Sequence, residues 1–316
     1  MTSLTMNGSL EIDLSANYRI LAITACFLGI VLSACFNIFI LIVLPRTPNK
    51  FGENTRLCLL SLAVIDILGG VICFGTRIIF EFDRPLVLNH RVACTVVAAS
   101  CTTFVSQSNV LLAVISIDRY IAIMKPMRYW SMVSRTRTKK MIAMAIGYGL
   151  VLSIARSFHE VFTDSCDFDP GGSLYVGNPS MLFYIANVFL LGSVTGYLNI
   201  KVLITAYKQH RRISNLPLAC EKRKDSTPKI GGKLKSAITN TVMFGAYYVV
   251  WTPYVVVVAI VTYYDEPVPE SVHFAVLYVA FSNHFLNAMT HFCLQRNLRL
   301  TMKRLLGRDK NSLVID

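Results

Sequence analysis

Charged side chains are scarce in this 316-residue chain, at 16% of its residues. Soluble globular proteins carry about a quarter, and disordered chains need still more polar or charged surface. Low charge therefore argues against a cytosolic enzyme and against a disordered chain. Hydrophobic residues make up 54% of the sequence. Much of the chain is therefore expected to contact lipid rather than water.

Patterns that would indicate catalysis or processing are also missing. The chain has no His-Glu-x-x-His, no Gly-x-Ser-x-Gly and no pair of intramembrane aspartates, since Asp66 alone lies in an apolar stretch. No enzyme is therefore predicted. The first eighteen residues lack a basic start followed by an apolar run, so no cleavable signal peptide is expected and the first span would direct insertion.

Seven segments are apolar enough to cross a bilayer as helices, which takes roughly 20 residues each. They cover residues 20–44, 57–80, 92–117, 141–158, 170–200, 236–264 and 271–295. The predicted fold is an all-α membrane protein, a seven-helix bundle over 20–293 that follows an extracellular segment, 1–19. The third inner loop is expected at about 208–235, and a short amphipathic helix with a cytoplasmic tail at 294–316.

Lysine and arginine are divided unevenly among the connections. Nearly all of them lie in 45–56, 119–140, 208–235 and the tail from 296, while acidic residues dominate the other connections. Cytoplasmic loops retain positive charge, so the amino terminus is predicted outside and the carboxyl terminus inside, in the plasma membrane. The net charge of +13 is thus explained by topology and anionic lipid, with no nucleic acid as a partner.

Three modifications follow from this orientation. Asn7-Gly8-Ser9 is a glycosylation sequon on the outer side. Cys94 and Cys166 are the cysteines predicted on the oxidising side, where a bridge would fix the outer loop, and two unpaired thiols are the alternative. Ser214 follows Arg211-Arg212-Ile213 in the third inner loop and is a candidate phosphorylation site.

An ordered set of motifs runs through the spans. Asp118-Arg119-Tyr120 ends span three, Trp251-Thr252-Pro253-Tyr254 lies in span six, and Asn287 to His291 lies in span seven. Together with the Cys94 and Cys166 pair, these motifs resemble the rhodopsin-like (class A) G-protein-coupled receptor family. Ala288 and His291 replace the proline and tyrosine usual in that family, so the chain resembles a divergent member.

The resemblance implies a cell-surface receptor that binds an extracellular ligand and activates a heterotrimeric G protein as span six opens. The residues implied in coupling and activation are Asp118, Arg119, Tyr120, Met127, Tyr197, Asn287 and His291, with Trp251 and Pro253 as toggle and hinge. Arg119 would pair with Asp118 at rest and be released to meet its partner. A seven-helix transporter or channel is the alternative, although the internal repeats typical of transporters are not found.

A charged residue in the middle of a membrane is costly and by default functional. Asp66, Ser108, Asn283 and Asn287 match the sodium-binding pocket of the family, so a sodium ion is the only ligand of cofactor type expected. A protonated Asp66 bonded to Asn37 and Asn287 is the alternative. His284, Asn287 and His291 share one helical face, which fits a metal or proton site or simply a polar core.

Two charged residues that some members of the family use to bind their ligands are missing, which limits the class of ligand. Cys101 stands where amine receptors of the family carry an aspartate, and Phe281 stands where opsins carry the retinal lysine. The predicted pocket wall is Cys101, Thr102, Val105, Tyr254, Val255, Val258, Leu277 and Phe281. This wall favours a neutral or hydrophobic small molecule, or a peptide that uses the acidic outer loops. Arg77 and Arg156 keep an acidic ligand possible. No oligomeric state is predicted.

Overall fold

A computed structural model describes residues 4–47, 52–82, 91–162, 179–214, 228–264 and 268–307. Within these ranges all regular structure is helical, which confirms the all-α prediction. Each of the first six long helices contains a stretch that is long and apolar enough to cross a membrane. They are α1 (Leu4–Val43), α2 (Glu53–Phe82), α3 (Arg91–Met124), α4 (Arg135–Phe162), α5 (Pro179–Ser214) and α6 (Pro228–Tyr264).

Span seven consists of two consecutive helices, α7 (Glu270–Phe281) and α8 (Asn283–Leu294). They are broken at Ser282, whose backbone N–H donates to the carbonyls of Tyr278 and Val279. The Ser282 hydroxyl donates to the same Val279 carbonyl at 2.5 Å. Together the two helices cover the predicted seventh span, and the break precedes a run of buried polar side chains on α8.

A final helix, α9 (Arg296–Leu305), follows after Gln295 adopts an extended conformation. Leu298 is buried against the bundle, whereas Leu306 just beyond the helix is exposed. The Arg299 guanidinium donates to the Phe292 carbonyl at the end of α8. The predicted short amphipathic eighth helix is therefore confirmed as α9, with one apolar side on the bundle.

Several helices extend beyond their apolar segments. α1 begins at Leu4 rather than at Ile20. α5 ends at Ser214 and α6 begins at Pro228, so both helices extend into the predicted loop 208–235. Hydropathy marks only the lipid-immersed part of a helix, whereas lysine and arginine are good helix formers that continue it into the headgroup region. Pro228 suits the first turn of α6, where its missing N–H would lack a helical partner anyway.

The helices form a closed bundle around α3. In sequence order α1 packs on α2, α2 on α3, α3 on α4 and α5, α5 on α6, and α6 on α7, while α8 returns to α1 and α2. Large apolar side chains such as Phe27, Val249 and Leu190 are exposed on the outer surface. Exposed apolar surface on this scale is expected only where lipid covers it.

Candidate functional site

The most buried carboxylate of the described residues is that of Asp66, in the middle of α2, with no exposed surface. Its Oδ1 accepts from the Ser108 hydroxyl of α3 at 2.8 Å and lies 3.1 Å from the His284 Nδ1 of α8. Its Oδ2 accepts from the Asn287 amide at 3.0 Å. Three polar side chains on two other helices therefore converge on one carboxyl group.

The His284 ring is enclosed on its other sides. Its Nε2 lies 3.7 Å from the Cys73 thiol sulfur, about two turns beyond Asp66 on α2. A Cβ atom added to Gly69 would come within 2.4 Å of the His284 Cε1. Gly69 is therefore the residue that makes room for the imidazole. The Asn37 amide of α1 donates to the His284 carbonyl at 2.7 Å and fixes the backbone from the opposite side.

The structure brings together three of the four predicted sodium ligands. Ser108 and Asn287 bond directly to Asp66, and Asn283 is buried one turn before Asn287 on α8. The alternative prediction bonds Asp66 to Asn37 and Asn287, and of these two contacts the structure has the one to Asn287. The Asn37 amide donates instead to the Ser33 and His284 carbonyls.

Sequence reasoning missed the contact between His284 and Asp66. The available signal was the spacing of His284 three residues before Asn287, which puts both on the side of α8 that faces α2. The predicted grouping of His284 with His291 is not observed as one site, since the His291 Nδ1 lies 3.0 Å from the Gln295 amide nitrogen. His291 instead borders a small cavity that lies between Asp66 and the start of α2.

Another buried carboxylate is that of Asp118, near the end of α3. It accepts from the Thr55 hydroxyl of α2 at 2.5 Å and from the Tyr129 hydroxyl at 2.8 Å. The Arg119 Nε is 4.0 Å away, at the limit of an ion pair. Burial, followed by the Asp118 charge, raises the pKa of Tyr129 to about 12, so this phenol is a neutral donor at physiological pH. Two neutral side chains thus donate to Asp118, and the predicted partner Arg119 lies at the edge of ion-pair distance.

The remaining predicted coupling residues occupy separate positions. Tyr120 packs beside the small apolar contact that Ile123, Val202 and Ala237 make between α3, α5 and α6. Met127 is 94% exposed in the short segment after α3, beyond the last turn of the helix. Tyr197 is exposed on α5, with the Lys201 ammonium 4.8 Å from the centre of its ring, and thus does not face Arg119.

The predicted toggle Trp251 lies in a line of aromatic side chains along α6. Its ring centre is 6.0 Å from that of Tyr247 and 5.8 Å from that of Tyr254. The Trp251 indole N–H has no hydrogen-bond partner among the described residues. Pro253 lies inside α6 and removes one backbone hydrogen bond two residues after Trp251, which is a typical cause of a helix kink.

The predicted ligand-pocket residues fall into two neighbouring groups. Tyr254 and Val258 of α6 are buried in one cluster, against which Trp251, Val255 and Leu277 pack. On the other side the Cys101 sulfur of α3 lies 3.4 Å from the Thr76 hydroxyl of α2, and Phe281 meets the ring of Phe74 edge to face. Thr102 and Val105 are buried on α3. These side chains are apolar or neutral polar, and none carries a formal charge.

The cation Arg77, proposed from sequence as an anchor for an acidic ligand, has an internal partner. Its guanidinium lies 2.6 Å from the Glu81 carboxylate one turn later on α2, and both side chains are buried. The rings of Phe80 and Phe274 lie 4.8 and 5.5 Å from the same group. An acidic ligand at Arg77 would have to displace Glu81, which makes such a ligand unfavourable.

Several sequence predictions fall outside the described part of the chain. Cys166 lies between the described ranges, so the predicted bridge to Cys94 stays a prediction. The side chains of Asn7, Cys94, Arg156 and Ser214 are likewise outside the description, although their backbones belong to α1, α3, α4 and α5.

Comparison with known proteins identifies the family. The sequence model described as "7 transmembrane receptor (rhodopsin family)" matches residues 36–291. Similar proteins include trace amine-associated receptor 1 of Mus musculus, 23% identical over 83% of this chain and 81% of that receptor. The histamine H2 receptor of Rattus norvegicus is 24% identical over 81% of this chain and 71% of its own length. Galanin receptor 2b of Danio rerio is 26% identical, over 85% and 70% respectively. The chain therefore belongs to the rhodopsin family of seven-transmembrane, G-protein-coupled receptors.

Proposed function

We propose that this receptor binds an extracellular ligand between its helices and activates a heterotrimeric G protein through Arg119. The observation that carries the proposal is the hydrogen bonding at the end of α3. Thr55 and Tyr129 satisfy Asp118, while the Arg119 Nε and Nη2 have no hydrogen-bond partner among the described residues. An arginine whose donors are unused at the end of a membrane helix suits a partner that offers backbone carbonyls.

Opening of α6 is the movement that would admit this partner. The contact between α3, α5 and α6 at this end is made by small apolar side chains, Ile123, Val202, Ala206 and Ala237. Separating such side chains costs far less than breaking a buried ion pair. Pro253 provides a weak point in the backbone of α6, above this contact and beside Trp251. A ligand that moves Trp251 would therefore shift α6 between two arrangements.

The ligand class follows from the charge of the predicted pocket. The relatives above are named for trace amines, histamine and galanin. A buried ammonium needs a counter-ion, and Cys101, Thr102 and the Tyr254 cluster provide none. We therefore propose a neutral or hydrophobic small molecule, or a peptide segment that inserts an apolar side chain, rather than a conventional amine.

Replacement of Arg119 tests the coupling. We expect Arg119→Ala to abolish both basal and ligand-driven signals in cells that carry a panel of G-protein reporters. Arg128→Ala is the matched control, since Arg128 lies exposed just beyond α3 and should leave at least half of the signal. Surface amounts of the variants are compared by antibody labelling. If the G-protein signal survives in Arg119→Ala while solute flux is lost, the transporter alternative would be favoured instead.

Replacement of Cys101 tests the site of the ligand. Cys101→Asp places a carboxylate within the predicted pocket and should lower the potency of a neutral ligand at least tenfold, because the new charge must be desolvated when the ligand binds. Cys101→Ser, which has a similar volume and no charge, is the matched control. An unchanged response to a true ligand in Cys101→Asp would place binding on the outer loops.

A further inference from the structure

The carboxylate of Asp66 is surrounded by hydrogen-bond donors. Oδ1 lies against the Ser108 hydroxyl and the His284 Nδ1, and Oδ2 accepts from the Asn287 amide. A hard cation such as sodium binds through the lone pairs of several oxygen atoms. An N–H group that points at the carboxylate presents positive charge where such an ion would sit, so the arrangement is that of a site already filled.

Space around the carboxylate is occupied by the imidazole itself. His284 is 1% exposed, and a Cβ on Gly69 would approach its Cε1 to 2.4 Å, so the ring contacts the bare backbone of α2. Cys73 lies against Nε2 at 3.7 Å, and the Asn37 amide holds the His284 carbonyl. The ring is therefore fixed at both nitrogens and through its backbone, and an entering ion would have to expel it.

The small cavity on the other side of Asp66 offers little to a cation. Asn37, Asp66, Asn287 and His291 provide its polar edge, and the rest of its wall is aliphatic, formed by Ile40, Leu59, Leu62, Ala63 and Ala288. Sodium would lose its hydration there and find oxygen atoms on only three side chains, Asn37, Asp66 and Asn287.

We infer that the His284 imidazole takes the place of a sodium ion at Asp66, so that the core of this receptor excludes sodium. The chain supplies its own partner for the buried carboxylate, and Gly69 is the residue that permits it. The inference concerns the resting core alone and does not depend on which ligand or G protein the receptor uses.

Thermal unfolding of the purified full-length receptor in detergent micelles tests this inference directly. Its Tm is measured in sodium chloride and in choline chloride at equal ionic strength. The wild-type Tm is expected to be the same in both salts, because choline cannot enter the core and sodium has no site. A sodium-specific rise in the wild-type Tm that Asp66→Asn removes would overturn the inference.

His284→Ser provides the complementary gain-of-function arm. The serine removes the ring, leaves open space before Gly69 and adds a hydroxyl oxygen, so the variant should acquire a higher Tm in sodium than in choline. Asp66→Asn in the same background should abolish that difference. If the serine variant does not fold, His284→Asn supplies a smaller side chain with an amide oxygen and the same expectation. A folded variant with no sodium response would contradict the assignment of exclusion to the imidazole.

Discussion

Two buried carboxylates of the described bundle, those of Asp66 and Asp118, differ in how they are held. Asp66, at mid-membrane, receives donors from α3 and α8 and a histidine ring packed against Gly69. Asp118, near the end of α3, receives the hydroxyls of Thr55 and Tyr129, with Arg119 only at 4.0 Å. The first carboxylate ties three helices together through a dense set of contacts. The second receives two neutral donors near the end of α3, where a partner could compete for its neighbours.

This difference fits the two tasks that a receptor must combine. A core that links α2, α3 and α8 keeps the bundle together while other helices move, because breaking it would leave charged or polar groups without partners in lipid. A weaker arrangement at the end of α3 can be rearranged at modest cost when a G protein arrives. Substitutions at the two carboxylates should therefore separate stability from signalling.

Loss of the mid-membrane carboxylate should have the largest effect. Asp66→Ala leaves Ser108, His284 and Asn287 without their shared acceptor and is expected to destabilise the receptor by about 3 kcal/mol. Thermal unfolding in micelles measures this loss, and Asp66→Asn, which keeps the shape and one acceptor, should lose less. A decrease below about 1 kcal/mol for Asp66→Ala would show that these hydrogen bonds do not stabilise the bundle.

Crowding of the histidine ring should have an intermediate effect. Gly69→Ala adds a Cβ 2.4 Å from His284 Cε1, and overpacking of this kind costs about 2 kcal/mol. Gly75→Ala and Gly147→Ala are matched controls, because no atom lies within 4 Å of an added Cβ at either position, and they should be neutral or stabilising. The Gly69→Ala penalty should shrink in a His284→Ser background, and additive effects of the two substitutions would disprove the contact.

Loss of one donor at Asp118 should have the smallest effect on stability, with a distinctive pH dependence. Tyr129→Phe is expected to cost about 1 kcal/mol at neutral pH, since Thr55 still donates to Asp118. The pKa of Tyr129 is raised from near 10 to about 12, so its contribution is complete below pH 10 and is lost as pH rises through 12.

Unfolding at several pH values compares the wild type with Tyr129→Phe. The gap between the two should close between about pH 10 and 12 as the wild-type phenol ionises. Thr55→Val is the control, because no group with a shifted pKa is removed there and its gap from the wild type should persist across that window. A constant gap for Tyr129→Phe would mean that the phenol does not stabilise Asp118.

Much of the architecture was predictable from the sequence, for physical reasons. Apolar runs of bilayer length, and the asymmetry of lysine and arginine, report directly on the cost of placing charge in lipid. The encounter of Asp66 with Ser108 and Asn287 followed from the resemblance. The helix ends at Leu4, Ser214 and Pro228 did not, because hydropathy carries no information about helix that continues into water.

The partners that were missed are those fixed by packing between helices. His284 shares a helical face with Asn287, but only the close approach that Gly69 allows brings its ring to Asp66. Thr55 and Tyr129 reach Asp118 from another helix and from the segment after α3. The predicted pair of Asp118 with Arg119 is present at the 4.0 Å limit of an ion pair. Neighbours in the chain point in different directions around a helix, so adjacency is a poor guide to ion pairing.

The most direct test of the account measures the distance between α3 and α6 when a G protein binds. Spin labels carried by unnatural amino acids at the exposed positions Met124 and Ile238 report this distance in purified receptor. With nucleotide-free heterotrimer we expect a population with a longer distance, which Arg119→Ala abolishes along with nucleotide exchange. Nucleotide exchange that proceeds while the distance stays unchanged would contradict opening of α6 as the activating movement.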